Sequence, residues 1–244
     1  MTALTLAAAQ SISIAGDVAA NIERHRVFMQ AAAERGVQCL VFPELSLTGY
    51  EPSLAAALAI DPHDRVLAPL RDSARELRLT VVVGMPIRLA PEAGVSIGAL
   101  VLAADGSLAV YIKQHLHPGE EVAFVAGQGG RALEFGSERI ALAVCADFSH
   151  ARPRKPAPVC TPPALISEGG YATDSALLQG YAVEHGLLVL MANHGGPSGG
   201  WACAGRSAIW DAEGRLVAAA PGVGDALLVA QRTDGGWSGY AVDL

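Results

Sequence analysis

The placement of short apolar runs constrains this chain's fold more than any other feature. "VQCLVF" (37–42), "TVVVGMP" (80–86) and "LLVLMAN" (187–193) are hydrophobic stretches of strand length, as expected of strands buried on both faces. Amphipathic stretches lie between them. "GDVAANIERHRVFMQAAAERG" carries apolar residues at helical spacing between Asp17, suited to cap a helix, and Gly36, suited to stop one. "DRVLAPLRDSARELR" predicts a second helix despite Pro69, and "TDSALLQGYAVEHG" a third that stops at Gly186. Ala3 to Gln10 reads as an opening strand. Hairpins are expected in "VSIGALVLAADGSLAVYIK", turning at Asp105-Gly106, in "RALEFGSERIALAVC", turning near Gly136-Ser137, and in "SAIWDAEGRLVAAA". Helices alternating with hairpins fit an α/β fold of layered sheets covered by helices better than a purely parallel βαβ array. No composition shift divides the chain, so one domain is expected over residues 1–244. "ARPRKPAPVCTPP" (151–163) is too rich in proline for a regular helix and predicts an irregular surface connection.

Composition narrows the partners. Hydrophobic residues make up 51% and charged residues 17%, which excludes a disordered chain and predicts much surface buried in the fold or between subunits, as in a homodimer or higher homo-oligomer. A formal charge of −7, with one short basic cluster at 151–155, disfavours nucleic acid and anionic membrane as partners. No stretch reaches the apolar length of a membrane-spanning helix, and the first residues lack a basic leader. Cys39, Cys145, Cys160 and Cys203 show no C-x-x-C spacing, and His115, His117, His150 and His194 show no metal-ligand spacing. A reduced cytoplasmic protein without a structural metal is the economical expectation.

Three ionisable residues share one local setting. Glu44 follows the strand "CLVF", Lys113 follows "LAVYI" and Cys145 follows "IALAV", so each emerges where a buried run ends. Taken singly, Glu44 reads as a capped loop carboxylate, Lys113 as a solvated strand end and Cys145 as a small core residue. Brought together by neighbouring strands, they would place a base, a fixed cation and a nucleophile in a partly desolvated cleft. Cys39 lies inside a strand and reads as core. "GGPSGG" (195–200) lacks the Gly-Lys-Ser/Thr ending of a phosphate loop and reads as a flexible loop near the pocket mouth.

"FPELSLTGY" (42–50), "YIKQHLHPGEEVAFVAG" (111–127) and "LAVCAD" (142–147) occur in the order that the nitrilase, or carbon–nitrogen hydrolase, superfamily shows, and together they resemble it. The stretch from "ALLQGYAVEHG" to "GRLVA" resembles that family's C-terminal half. The resemblance implies a four-layer αββα sandwich, with Glu44 as general base, Lys113 as the cation beside the reacting centre and Cys145 as nucleophile. It also implies a second glutamate after the lysine, for which Glu120 fits best and Glu121 stays open. Candidate substrate contacts are Tyr50, Glu121, the Ala146 backbone, Phe148, Asn193 and His194. The expected activity is hydrolysis of a C–N bond in a small carboxamide or N-carbamoyl compound through a thioester, with no metal or organic cofactor. Nitrile hydrolysis, acyl transfer and a catalytically idle metabolite-binding homologue stay open. The chain departs from the pattern after the nucleophile, where Ala146, Asp147 and Phe148 lead into the proline-rich segment instead of a helix.

Overall fold

In the computed structural model, which describes residues 4–135, 138–149, 159–161 and 163–244, the apolar runs sort into two sheets. The first half of the chain supplies β1 (Thr5–Gln10), α1 (Val18–Ala33), β2 (Cys39–Val41), α2 (Ala55–Leu58), α3 (Ala68–Glu76), β3 (Thr80–Ile87), β4 (Ser96–Leu102) and β5 (Leu108–Ile112). The second half supplies β6 (Leu133–Phe135), β7 (Glu138–Leu142), β8 (Val159–Thr161), β9 (Pro163–Ala164), α4 (Tyr171–His185), β10 (Leu188–Asn193), β11 (Ala208–Trp210), β12 (Leu216–Ala219), β13 (Ala226–Thr233) and β14 (Gly236–Asp243). The first sheet runs β14-β13-β1-β2-β3-β4-β5, and the second β12-β11-β10-β8-β7-β6 with β9 also paired to β10. Each has a parallel middle, β1-β2-β3 in one and β7-β8-β10 in the other, and antiparallel flanks.

Alternation along the strands explains the layers. Leu6 and Ala8 of β1, Cys39 and Val41 of β2, and Val82 of β3 face the second sheet, where Ile140, Leu142, Leu188 and Leu190 meet them. The intervening residues Ala7, Ala9, Leu40, Val81 and Val83 point the other way and are covered by Ile22, Phe28, Met29 and Ala32 of α1 and Leu70 and Ala74 of α3. On the far side, Val189 and Met191 of β10 are covered by Leu178 and Ala182 of α4. The result is the αββα sandwich. Both faces of the central strands are dry, and each fully buried Val, Leu or Ile contributes roughly 1.5–3 kcal/mol of apolar transfer.

Local chemistry sets the element ends. The Asp17 side chain accepts from the Ala20 N–H at the start of α1, and Gly186 closes α4 in the left-handed conformation at φ +61°. Pro69 is tolerated because it falls in the first turn of α3, where its missing N–H has no helical partner; a 3₁₀ turn over Arg65–Leu67, capped by Asp64, precedes it. The irregular connection expected for 151–163 is corrected at its end. Residues 151–158 and 162 lie outside the described residues, but Val159–Thr161 form a buried strand between β7 and β10. That triplet holds no proline, so every residue of it keeps a ladder donor. The turn expected near Gly136-Ser137, and His150, also lie outside the described residues; β6 and β7 on either side of that turn pair antiparallel.

Candidate active site

Glu44 stands on a loop that leaves β2 through Phe42 and Pro43. Phe42 stacks on the His25 ring with centroids 3.9 Å apart, which ties the loop's start to α1. Beyond it the backbone crosses β3 at Gly84 so closely that a Cβ there would lie 2.2 Å from Leu45 N, 2.7 Å from the Pro43 carbonyl oxygen and 2.9 Å from the Glu44 carbonyl carbon. Leu45 adopts φ +52°, an uncommon conformation for a branched side chain, and is held there by its surroundings. The Gly84 N–H donates to Ser46 Oγ at 3.2 Å, and the Leu47 N–H to the Gly84 carbonyl at 3.0 Å. Burial lowers His25 to about 3 and His194 to about 4, so both rings are neutral near pH 7. His25 Nδ1–H donates to the Asn21 carbonyl (2.7 Å), leaving Nε2 to accept from Ser46 Oγ (2.9 Å). His194 Nε2–H donates to the Glu44 carbonyl at 2.7 Å.

Lys113 follows β5, its backbone clamped by bonds from its N–H to the Ile97 carbonyl (2.9 Å) and from the Gly127 N–H to its own carbonyl (2.8 Å). Its ammonium is fully buried and donates to Glu44 Oε1 and Glu120 Oε1, each at 2.7 Å. Glu120 is itself fixed: Tyr50 OH donates to Oε1 at 2.7 Å and the His117 N–H to Oε2 at 2.8 Å. Glu120 opens a 3₁₀ turn directly after Gly119, whose φ of +98° turns the chain inward. Glu121 takes no part. Its exposed carboxylate accepts from the Gly119 N–H at 2.7 Å, which settles which of the adjacent glutamates meets the lysine.

Cys145 opens a 3₁₀ turn after β7 at φ +45°, and its thiol donates weakly to the Leu165 carbonyl at 3.7 Å. Two residues on, the buried Asp147 carboxylate ties this turn to the lysine segment. Oδ2 accepts from Tyr111 OH (2.9 Å) and the Val144 N–H (3.1 Å), while Oδ1 accepts from the Gln114 and His115 N–H groups (3.0 and 2.7 Å) and lies 3.1 Å from His115 Nδ1. Asp147 was not among the candidate site residues. Its only sequence signal is a carboxylate two residues after Cys145 within an otherwise apolar stretch.

Burial dominates the electrostatics. Removal from water pushes the Glu44 carboxyl up to about 7, with Glu120 adding to the rise and the Lys113 ammonium opposing it. Burial raises the Cys145 thiol, the Glu44 charge adds to this, and Lys113 opposes it. For Lys113 burial acts downward but loses to Glu44, Cys145 and Glu120, so the amine stays charged. Desolvation raises the thiols of Cys39 and Cys160 to about 12. Glu44 Oε2 is buried and has no hydrogen-bond partner among the described residues.

Glu44, Glu120 and Cys145 face one cleft of about 340 Å³, together with Tyr50, His117, Ala146, Phe148, Ser149, Leu165, Ser167, Asp174 and Trp201. Tyr50, Ala146 and Phe148 therefore stand where substrate contacts were expected, whereas Glu121, Asn193 and His194 do not line the cleft. The Asn193 side chain is spent on Ile166 N–H and carbonyl and on the Gly205 carbonyl (2.8, 3.0 and 2.9 Å), and His194 on Glu44; both brace the site from behind. The 195–200 loop lies by the cleft as expected, but it is pinned. Ser198 Oγ accepts from the Tyr50 N–H (2.8 Å), the Gly199 N–H donates to Glu51 (3.0 Å), and a side chain on Gly199 would collide with the Tyr50 carbonyl at 1.9 Å. Among the described residues no group of three His, Cys, Asp or Glu side chains is placed to hold a metal ion.

Residues 5–154 match the carbon-nitrogen hydrolase family. The amidase from Nesterenkonia sp. AN1, in a variant carrying acrylamide added at its active-site cysteine, is 28% identical and superposes with a TM-score of 0.82 over 93% of this chain and 92% of that one. A cysteine-to-alanine variant of the same amidase in complex with butyramide is 27% identical, with a TM-score of 0.84 over 94% and 91%. A CN-hydrolase superfamily protein from Xanthomonas campestris with an arsenic adduct in its active site shares the fold at 21% identity, with a TM-score of 0.87 over 96% and 92%.

Two substitutions test how the site is held. Gly84→Ala drives a methyl group into the backbone that carries Glu44, so kcat/KM should fall by on the order of 10² in a protein that still folds; unchanged kinetics would show that the loop tolerates displacement. Asp147→Asn offers one acceptor oxygen where two serve four donor groups, and should cost about 1–3 kcal/mol in urea unfolding. It should also alter the rate at which Cys145 is alkylated.

Proposed function

Because the chain belongs to the carbon–nitrogen hydrolase family, within the nitrilase superfamily, we propose that it hydrolyses the C–N bond of a small carboxamide through a thioester on Cys145. One observation carries this reading. Glu44 has one oxygen held by the buried ammonium and the other buried with no hydrogen-bond partner among the described residues, on the wall of the cleft that Cys145 also lines. A proton acceptor is thus kept vacant beside a thiol that is otherwise held protonated.

In the proposed reaction Glu44 takes the thiol proton as sulfur attacks the amide carbon. Negative charge develops on the carbonyl oxygen. Two of the three Lys113 N–H groups are spent on Glu44 and Glu120, and the third, with the Ala146 backbone N–H, is assigned to that oxygen. Glu44 returns its proton to the departing nitrogen, the C–N bond breaks, and ammonia leaves an acyl group on sulfur. Glu44 then deprotonates a water, which attacks the thioester; the acid departs and the proton returns to sulfur. Glu120, fixed by Tyr50 and His117, holds the lysine in place throughout. The same three residues would serve an N-carbamoyl or nitrile substrate, so ammonia release across amides, ureides and nitriles distinguishes these variants.

The base must be ionised to act, and its carboxyl is raised to about 7, so kcat/KM should climb as pH rises through the neutral range and fall away below it. Glu44→Gln should remove the limb and lower kcat/KM by about 10²–10⁴. Intact-mass analysis of that variant with substrate should reveal an acyl adduct on Cys145 if its removal outlasts its formation. At neutral pH iodoacetamide should label Cys145 ahead of Cys39, Cys160 and Cys203; equal, slow labelling of all four would favour an idle binding homologue.

A further inference from the structure

The catalytic cluster uses the floor of the cleft and leaves its open side unexplained. Glu44 and Glu120 are 1% and 3% exposed, whereas Trp201 is 49% exposed and Asp174 half-buried. Asp174 lies in the first turn of α4, where a carboxylate suits the helix dipole. That accounts for an acid on this turn but not for its facing a cleft whose floor already sets two carboxylates against one ammonium. Asp174 has no ion pair among the described residues; apart from the Lys113 ammonium held between Glu44 and Glu120, the described lining holds no lysine or arginine, and its other basic group, His117, is an electrostatic neighbour of Asp174. Trp201, largely exposed, belongs to the same lining. A carboxylate and an aromatic face are the two groups that bind an alkylammonium, one by charge and the other through its ring quadrupole. The volume of about 340 Å³ is at the small end of ligand pockets and leaves room beyond a reacting carboxamide.

We propose that Asp174 and Trp201 form an ammonium subsite at the open side of the cleft, so that the substrate is a small carboxamide with a protonated amine at its far end. The inference rests on the hydrolase reading above and deepens it. A substrate ending in a carboxylate would meet the like charge of Asp174 and is disfavoured.

The test compares 4-aminobutanamide, 5-aminopentanamide and 6-aminohexanamide with the methyl-ended pentanamide, hexanamide and heptanamide, and with glutaramate, at pH 8, where a primary alkylamine is protonated. The best amine should exceed its methyl counterpart in kcat/KM by roughly tenfold or more, glutaramate should be the poorest, and added salt should shrink the difference. Asp174→Asn should bring the amine-to-methyl ratio to within about twofold of one, and Asp174→Lys should shift preference toward glutaramate. Trp201→Ala should lower the ratio as well. Binding of the same compounds to Cys145→Ser separates the two readings. An amine preference in binding without turnover of any amide by the unmodified enzyme would remove the hydrolase reading and keep the subsite. Turnover of amides with no amine preference, or a preference that survives Asp174→Asn, would overturn the subsite and keep the hydrolase reading.

Discussion

A fully buried ammonium governs this molecule. Taking Lys113 out of water costs several kcal/mol even after relaxation, and only close, well-aligned partners offset it. The partners are two carboxylates from separate loops, Glu44 after β2 and Glu120 after the lysine's own strand, and Tyr50 and the His117 N–H fix the second of these. The requirement to satisfy one charge therefore sets the relative positions of two connections, the one after β2 and the one after β5. Removing the lysine would leave two carboxylates facing each other in the dry interior, so geometry and charge here have a common origin.

The sulfur enters from the opposite sheet and is positioned differently. Asp147 joins the nucleophile turn to the residues on either side of Lys113 with uncharged donors at 2.7–3.1 Å, so the thiol and the ammonium are registered without a direct bond between them. Leu45 and Cys145 both hold positive φ, at 52° and 45°, at the two points where the loops turn toward the cleft. Such conformations persist only where surrounding contacts over-determine them. Gly84, Ser46 and His25 supply those contacts on one side and Asp147 on the other.

The positions of Glu44, Lys113 and Cys145 at the ends of strands were legible in the sequence because each ends an apolar run. The layered fold was legible for the same reason: strands dry on both faces show as unbroken hydrophobic runs. Asp147, Gly84 and the neutral histidines were not, since their partners lie far away in sequence and nothing local marks them. Asn193 and His194 were placed in the right neighbourhood, but whether such a side chain faces the cavity or braces the loop behind it depends on packing. The hairpin of β13 and β14 went unread: β14 is largely exposed and shows no run of buried residues.

That hairpin has a consequence for assembly. β1 pairs with β2 on one side and with β13 on the other, so that Ala8 lies beside both Val41 and Leu228. Contacts between segments so distant along the chain raise the contact order, and high contact order slows folding. Gln10, at the end of β1, bonds the carbonyls of Gly222 and Gly224 and accepts from the Ser207 N–H, so the late part of the chain also helps to seat the strand beside the one that delivers Glu44. The position of Glu44 therefore depends on pairing between the two ends of the chain as well as on β2 itself.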